Sequence, residues 1–211
     1  WFFDDKAIQS PNYKVIVNAI DVKKYMRNDT IRKQYREALK IQEKIVIGHV
    51  GRFHFQKNHQ LLIKIFKCLA VQNKKYHLLL VGQGELEQDI KDIVKKENLS
   101  QRVTFLGARN DVDKLYQAMD LFMLPSQFEG LGIVALEAQA ALLPCLLSDG
   151  VPKIVKVNNN VKFISLNDTP EHWANAAEKM LKEPQTINKM ITSEYDIDIQ
   201  VKKFERELGG K

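Results

Sequence analysis

The chain has 211 residues, 45% of them apolar and 27% charged, with a formal net charge of +6. That is enough for one domain with a full core, and no apolar run reaches the roughly 20 residues of a membrane-spanning helix. The lysines and arginines are scattered over what read as helix surfaces, without a basic block interleaved with aromatics, which argues against nucleic acid. A phosphorylated small molecule or an anionic membrane surface would meet the same charge. Cys68 and Cys145 stand in FKCLA and LPCLL without CxxC spacing, so zinc and redox chemistry are not indicated and a reducing cytoplasm fits best. No signal peptide is visible, and the chain opens on Trp1-Phe2-Phe3 instead of methionine, as expected of a piece of a longer protein.

In chain order, VIVNAID (Val15 to Asp21) reads as a strand running into a turn, and TIRKQYREALKI as a charged helix opening at Thr30. KIVIGHVG, YHLLLVG, RVTFLG, DLFMLP and LPCLLS follow at regular intervals. These continuous apolar runs, ended by Gly, Pro or Ser, are the pattern of strands covered on both faces. HQLLIKIFKCLAVQ, ELEQDIKDIVKKENL and DVDKLYQAM lie between them and carry apolar residues at helical spacing. Such alternation predicts right-handed βαβ crossovers and an α/β fold with a parallel, Rossmann-like sheet flanked by helices. Ile133 to Ala140 reads as a helix, Val161 to Ile164 as a weak last strand. Helices are expected from Pro170 to about Leu181, with Thr169 as N-cap, and within Asp196 to Leu208. The expected partition is a flanking segment over 1–40, a core over 41–185 and a helical tail over 186–211.

In such a sheet ligands bind beyond the carboxyl ends of the strands. GRFHFQKNH places Arg52 and Lys57 on one loop there. Two permanent cations suit the phosphates of a nucleoside diphosphate, although a solvated basic loop would read the same. VGQGEL offers Gly82 and Gly84 for a tight turn, with packing and close approach their expected job. FEGLGIVALEAQA holds Glu129 and Glu137 with seven residues between them. The glycines and the helix start expose main-chain N–H groups to an anion. Glu137, amid Ala, Leu and Val, needs hydroxyl or amide donors if buried, which a ribose diol would supply; a salt-bridged surface role is the alternative. Glu129 would also serve simply as an acid at a helix N-terminus. The five histidines do not converge as a metal site, and Walker, GxSxG and HExxH motifs are missing from the sequence.

Together these motifs resemble the C-terminal, nucleotide-sugar-binding half of a retaining glycosyltransferase of the GT-B fold, in the group 1 family of exopolysaccharide and capsular type. VNAID, GRFHFQKNH, LLLVGQGEL, RVTFLG and LPSQFEGLGIVALEAQA carry the resemblance over nearly the whole chain. It implies that Arg52 and Lys57 bind the donor diphosphate and that Glu129 faces the donor sugar, these three being the catalytic candidates. Glu137 would hold the ribose, the amides of Gly130, Leu131, Gly132, Ile133 and Val134 would meet phosphate or sugar, and Ala108-Arg109-Asn110 would border the base. Departures from the pattern are Ala19 in place of a glycine and Ile154 where a carboxylate is common. The resemblance further implies transfer of a hexose-type sugar, with UDP as the expected carrier, to a glycan or lipid-linked acceptor in polysaccharide biosynthesis. No metal or other cofactor is expected. The acceptor lobe is expected upstream of this chain, so the fragment alone would bind without turnover, in the cytoplasm or in peripheral contact with the inner face of the membrane. A non-catalytic nucleotide-binding module and a UDP-sugar epimerase lobe are the alternative readings.

Overall fold

The structure, a computed structural model, describes residues 17–183 and 188–207; the expectations on Trp1 to Phe3, on the start of VIVNAID and on Leu208 fall outside those residues. A six-stranded sheet is built from β1 (Ile45–Val50), β2 (Tyr76–Val81), β3 (Val103–Phe105), β4 (Leu121–Leu124), β5 (Cys145–Ser148) and β6 (Val161–Ile164). Every pairing is parallel and the order is β3-β2-β1-β4-β5-β6.

Neighbouring residues on the central strands enter different cores, which is why these strand sequences are mostly apolar at consecutive positions. Val46, Leu79, Phe122 and Leu147 pack on one face, beneath α1 (Val22–Tyr25), α5 (Val112–Ala118) and α6 (Ile133–Ala140). Ile47, Leu78, Met123 and Leu146 pack on the other, beneath α3 (His59–Gln72), α4 (Glu87–Lys96) and α7 (Pro170–Lys182). The helix α2 (Asp29–Ala38) lies against α5, and α8 (Ile197–Glu207) ends the described chain.

Local chemistry sets the helix ends. Thr169 Oγ1 accepts from the His172 amide at 3.2 Å ahead of Pro170, as the sequence predicts. The charged helix opens one residue before Thr30, because Asn28 supplies the cap to the Ile31 amide at 3.0 Å. One of its charges is buried: Arg36 donates to the Ala118 carbonyl at 2.8 Å and pairs with Asp120 at 3.1 Å.

VIVNAID is not a strand in its described part. Ile20 makes a single parallel bridge to Asp196, and Asp21 then caps α1 by accepting from the Lys24 amide at 3.2 Å. A cap immediately after the bridge turns the backbone away before a second rung can form.

Candidate active site

The order of strands reverses between β1 and β4, the place beyond the strand ends where open parallel sheets bind ligands. Arg52 to Lys57 follow β1, and Ser126 to Gly132 follow β4. The two loops are joined by main chain and side chain alike: the Gln127 amide donates to the Gln56 carbonyl at 2.7 Å, and Gln56 Nε2 donates to the Phe128 carbonyl at 3.0 Å.

Lys57 Nζ reaches across the join to Glu129 Oε1 at 2.6 Å, and Ser126 Oγ donates to the same oxygen at 2.6 Å. The Glu129 side chain is only 7% exposed and that of Lys57 14%, so this is a sequestered ion pair. The Glu129 stem lies against the start of α6: a Cβ placed on Gly132 would sit 3.8 Å from it, and 3.3 Å from Val151. Gly132 itself has φ +82, the left-handed region that favours glycine. No side chain caps α6, so its first amides are available to an acceptor, with the partial positive charge of a helix start behind them.

Arg52 behaves differently. Its side chain is 72% exposed and donates to Glu85 at 3.2 Å, so Arg52 and Lys57 share one loop but hold separate carboxylates. The glycine turn after β2 locks this region. A Cβ on Gly82 would collide with the Gly51 carbonyl, and one on Gly84 with the Phe53 main chain. The Gly82 amide also donates to the Gly107 carbonyl at 2.8 Å. Close approach is thus what these glycines provide. Beyond Gly107, Arg109 is drawn to Asp111 at 2.7 Å, where Tyr35 Oη also donates at 2.7 Å.

Glu137 lies one helical turn into α6, half-buried. Tyr25 Oη donates to its Oε1 at 2.8 Å and Tyr116 Oη to its Oε2 at 2.9 Å. The donors that the sequence reading sought in a ribose are therefore present within the chain, though each carboxylate oxygen keeps a further lone pair. Burial pushes the carboxyl up from its ordinary value, and the two tyrosine hydroxyls pull it part of the way back. Tyr25, Tyr116, Ser126 and Gln56 were not singled out in the sequence. Tyr25 is 112 positions from Glu137, and no local pattern signals so distant a partner.

Two of the histidines do meet. His49 and His59 have ring centroids 4.7 Å apart, with Phe53 stacked on His59 at 4.2 Å. Among the described residues no three His, Cys, Asp or Glu side chains gather as a metal site. Burial first, and then the nearby Lys57, lower the His59 pKa to about 4.

The profile of the family described as "Glycosyl transferases group 1" matches residues 31–196. The chain belongs to the group 1 glycosyltransferases. Among curated relatives of this group 1 domain, the putative glycosyltransferase EpsF of Bacillus subtilis is 32% identical over 82% of the chain and 46% of its own length. A UDP-Gal:alpha-D-GlcNAc-diphosphoundecaprenol alpha-1,3-galactosyltransferase of Escherichia coli is 35% identical over 73% of the chain and 41% of its own length. The group 1 domain thus spans about half the length of the curated relatives it matches. Among solved structures, Anabaena Alr3699/HepE in complex with UDP and glucose superposes with a TM-score of 0.77 at 23% identity, covering 94% of this chain and 57% of that one. The glycosyltransferase WaaG superposes with a TM-score of 0.75 at 22% identity, covering 95% of this chain and 58% of that one. The architecture is that of one lobe of the GT-B fold. Among the described residues of this group 1 domain no helix is long and apolar enough to cross a membrane.

Proposed function

We propose that this chain is the donor-binding lobe of a retaining glycosyltransferase that moves a hexose-type sugar from a nucleoside diphosphate to a glycan or lipid-linked acceptor. The observation that carries this reading is the sequestered Lys57–Glu129 pair, set against the uncapped start of α6 where the strand order reverses. A diphosphate entering there finds the ammonium of Lys57, the guanidinium of Arg52 and the amides of Gly130 to Val134. Once drawn onto the bound diphosphate, these positive groups stabilise the charge that grows on it as it leaves, so the reading needs no metal. An anion that takes over Lys57 frees Glu129 to face the donor sugar. Glu137 accepts from a ribose hydroxyl on its free lone pairs, with the tyrosines holding the carboxylate in place.

UDP is the carrier we favour. The E. coli relative is named for a UDP-sugar and a lipid-linked acceptor, and Alr3699/HepE is seen in complex with UDP; polysaccharide synthesis, in the cytoplasm or in peripheral contact with the inner face of the membrane, is the role that goes with this reading. The chain spans about half of such proteins, so the acceptor lobe is assigned to sequence outside it, and this lobe alone binds donor without turning it over. Calorimetric titration with UDP is expected to give saturable heat, with no sugar transfer from UDP-hexose. If no nucleoside diphosphate produces saturable heat, the reading fails.

A further inference from the structure

Between the loop after β1, at Phe55 and Asn58, and the loop after β4, at Gln127 and Phe128, lies a cavity of ≈ 550 Å³, within the size range of small-molecule sites. It shares both loops of the donor site but not its chemistry. Among the described residues no Lys, Arg, Asp or Glu lines it, and His54, which does, already faces Glu85 at 3.6 Å, so the lining offers a phosphate no permanent cation.

What does line it falls into two kinds. Phe55 and Phe128 form an aromatic lip, 60% and 51% exposed with ring centroids 6.0 Å apart, while Leu86, at the N-cap of α4, and Ile90 within it form an apolar wall. Asn58, Gln60 and Gln127 contribute carboxamides, and among the described residues none of these three side chains takes part in a hydrogen bond. A carboxamide carries a donor and an acceptor side by side, which matches the paired hydroxyls of a polyol. Aromatic faces of negative potential attract the polarised C–H groups of a saturated ring. At the floor, His59 is 2% exposed with neither ring nitrogen partnered among the described residues.

We infer that this cavity is a saccharide subsite, which takes a neutral sugar ring between the aromatic lip and the three carboxamides. Its position one residue from Lys57 on one loop and one residue from Glu129 on the other assigns it to the acceptor glycan, which extends acceptor recognition onto this lobe. That last assignment rests on the function proposed above; the cavity's preference for a neutral sugar does not. The Gln127 amide and the Gln56 side chain tie the two halves of the lip together.

The test is an amide-resolved NMR titration of the ¹⁵N-labelled chain with methyl α-D-glucopyranoside, methyl N-acetyl-β-D-glucosaminide and methyl β-maltoside, followed by UDP. The expected result is saturable shifts at Phe55, Asn58, Gln60, Gln127 and Phe128 with at least one sugar, persisting when UDP is added. The exposed double variant Phe55→Ala/Gln60→Ala is expected to weaken that sugar about tenfold and to leave UDP affinity within about twofold. Absence of sugar shifts up to the solubility limit of all three probes, or shifts confined to Arg52 and Gly130 to Val134, would overturn the subsite. Equal sugar affinity in the double variant would overturn it as well. Loss of the UDP response alone would remove the donor reading and leave the subsite standing.

Discussion

Glu129 and Glu137 sit on one short segment and are held by opposite means. Glu129 is met by an ammonium and a hydroxyl on a single oxygen, whereas Glu137 receives one phenol on each oxygen and, among the described residues, no cation at bonding distance. The first arrangement answers charge with charge. The second answers desolvation with neutral hydrogen bonds, and the carboxyl responds by holding its proton more tightly. Disturbing a sequestered ion pair strands a charge, while disturbing a neutral hydrogen bond strands only a dipole. The two glutamates should therefore differ sharply in their sensitivity to substitution.

The largest effect is expected at the ion pair. Lys57→Met leaves Glu129 without its cation and should cost about 3–5 kcal/mol of stability in urea denaturation, along with nucleotide affinity. Adding Glu129→Gln to that variant should restore most of the stability, since no charge is then stranded. If Lys57→Met alone costs less than about 1 kcal/mol, the contrast between the two carboxylates collapses.

Acid is the next probe. His59 and His77 are both lowered by burial from 6.5 to about 4, and burial lowers His49 well below 6.5. The unfolded chain takes up these protons first, so stability present above pH 6.5 falls as the pH drops towards about 4. A loss on the order of 2–3 kcal/mol each is expected for His59 and His77, read from urea midpoints. Glu137 acts in the reverse sense. Its raised carboxyl is protonated in the fold before it is in the unfolded chain, which favours the fold as the pH falls towards 4.5. Glu137→Gln should make the acid slope steeper, and an unchanged slope would contradict the assignment.

At neutral pH the same Glu137→Gln variant should lose only about 1 kcal/mol, because the amide offers one acceptor oxygen to two phenols. Its effect on recognition is sharper. The unaltered chain should bind UDP more tightly than 2′-deoxy-UDP, and calorimetry of the variant should show that preference shrink towards unity. The smallest stability change belongs to Arg52→Ala, within about 0.5 kcal/mol for so exposed a pair, although UDP affinity should still fall. Unchanged affinity would remove Arg52 from the diphosphate site.

The sheet was legible because each strand feeds two cores, so IVIGHV and YHLLLV are apolar at consecutive positions. VIVNAID has a similar composition and reads as a strand for that reason; its described part, from Val17, forms a single bridge to Asp196 before Asp21 caps a helix. In the site, Glu129, Lys57 and the glycines announce themselves by type and spacing. Tyr25 and Tyr116 do not, since a tyrosine in a helical stretch reads as core until the fold shows where its hydroxyl ends. Arg52 was read with Lys57 because they share a loop, and only the three-dimensional path of the next loop reveals that Glu85 draws it aside.

The glycine contacts after β1 and β2 carry a mechanical corollary. With Gly82 seated on Gly51 and Gly84 on Phe53, the crests of adjacent strands are stacked backbone on backbone, with no side chain between them to act as a cushion. The rim that carries Arg52 is then a rigid shelf, and a force applied at its tip passes into the sheet itself before it can bend the loop.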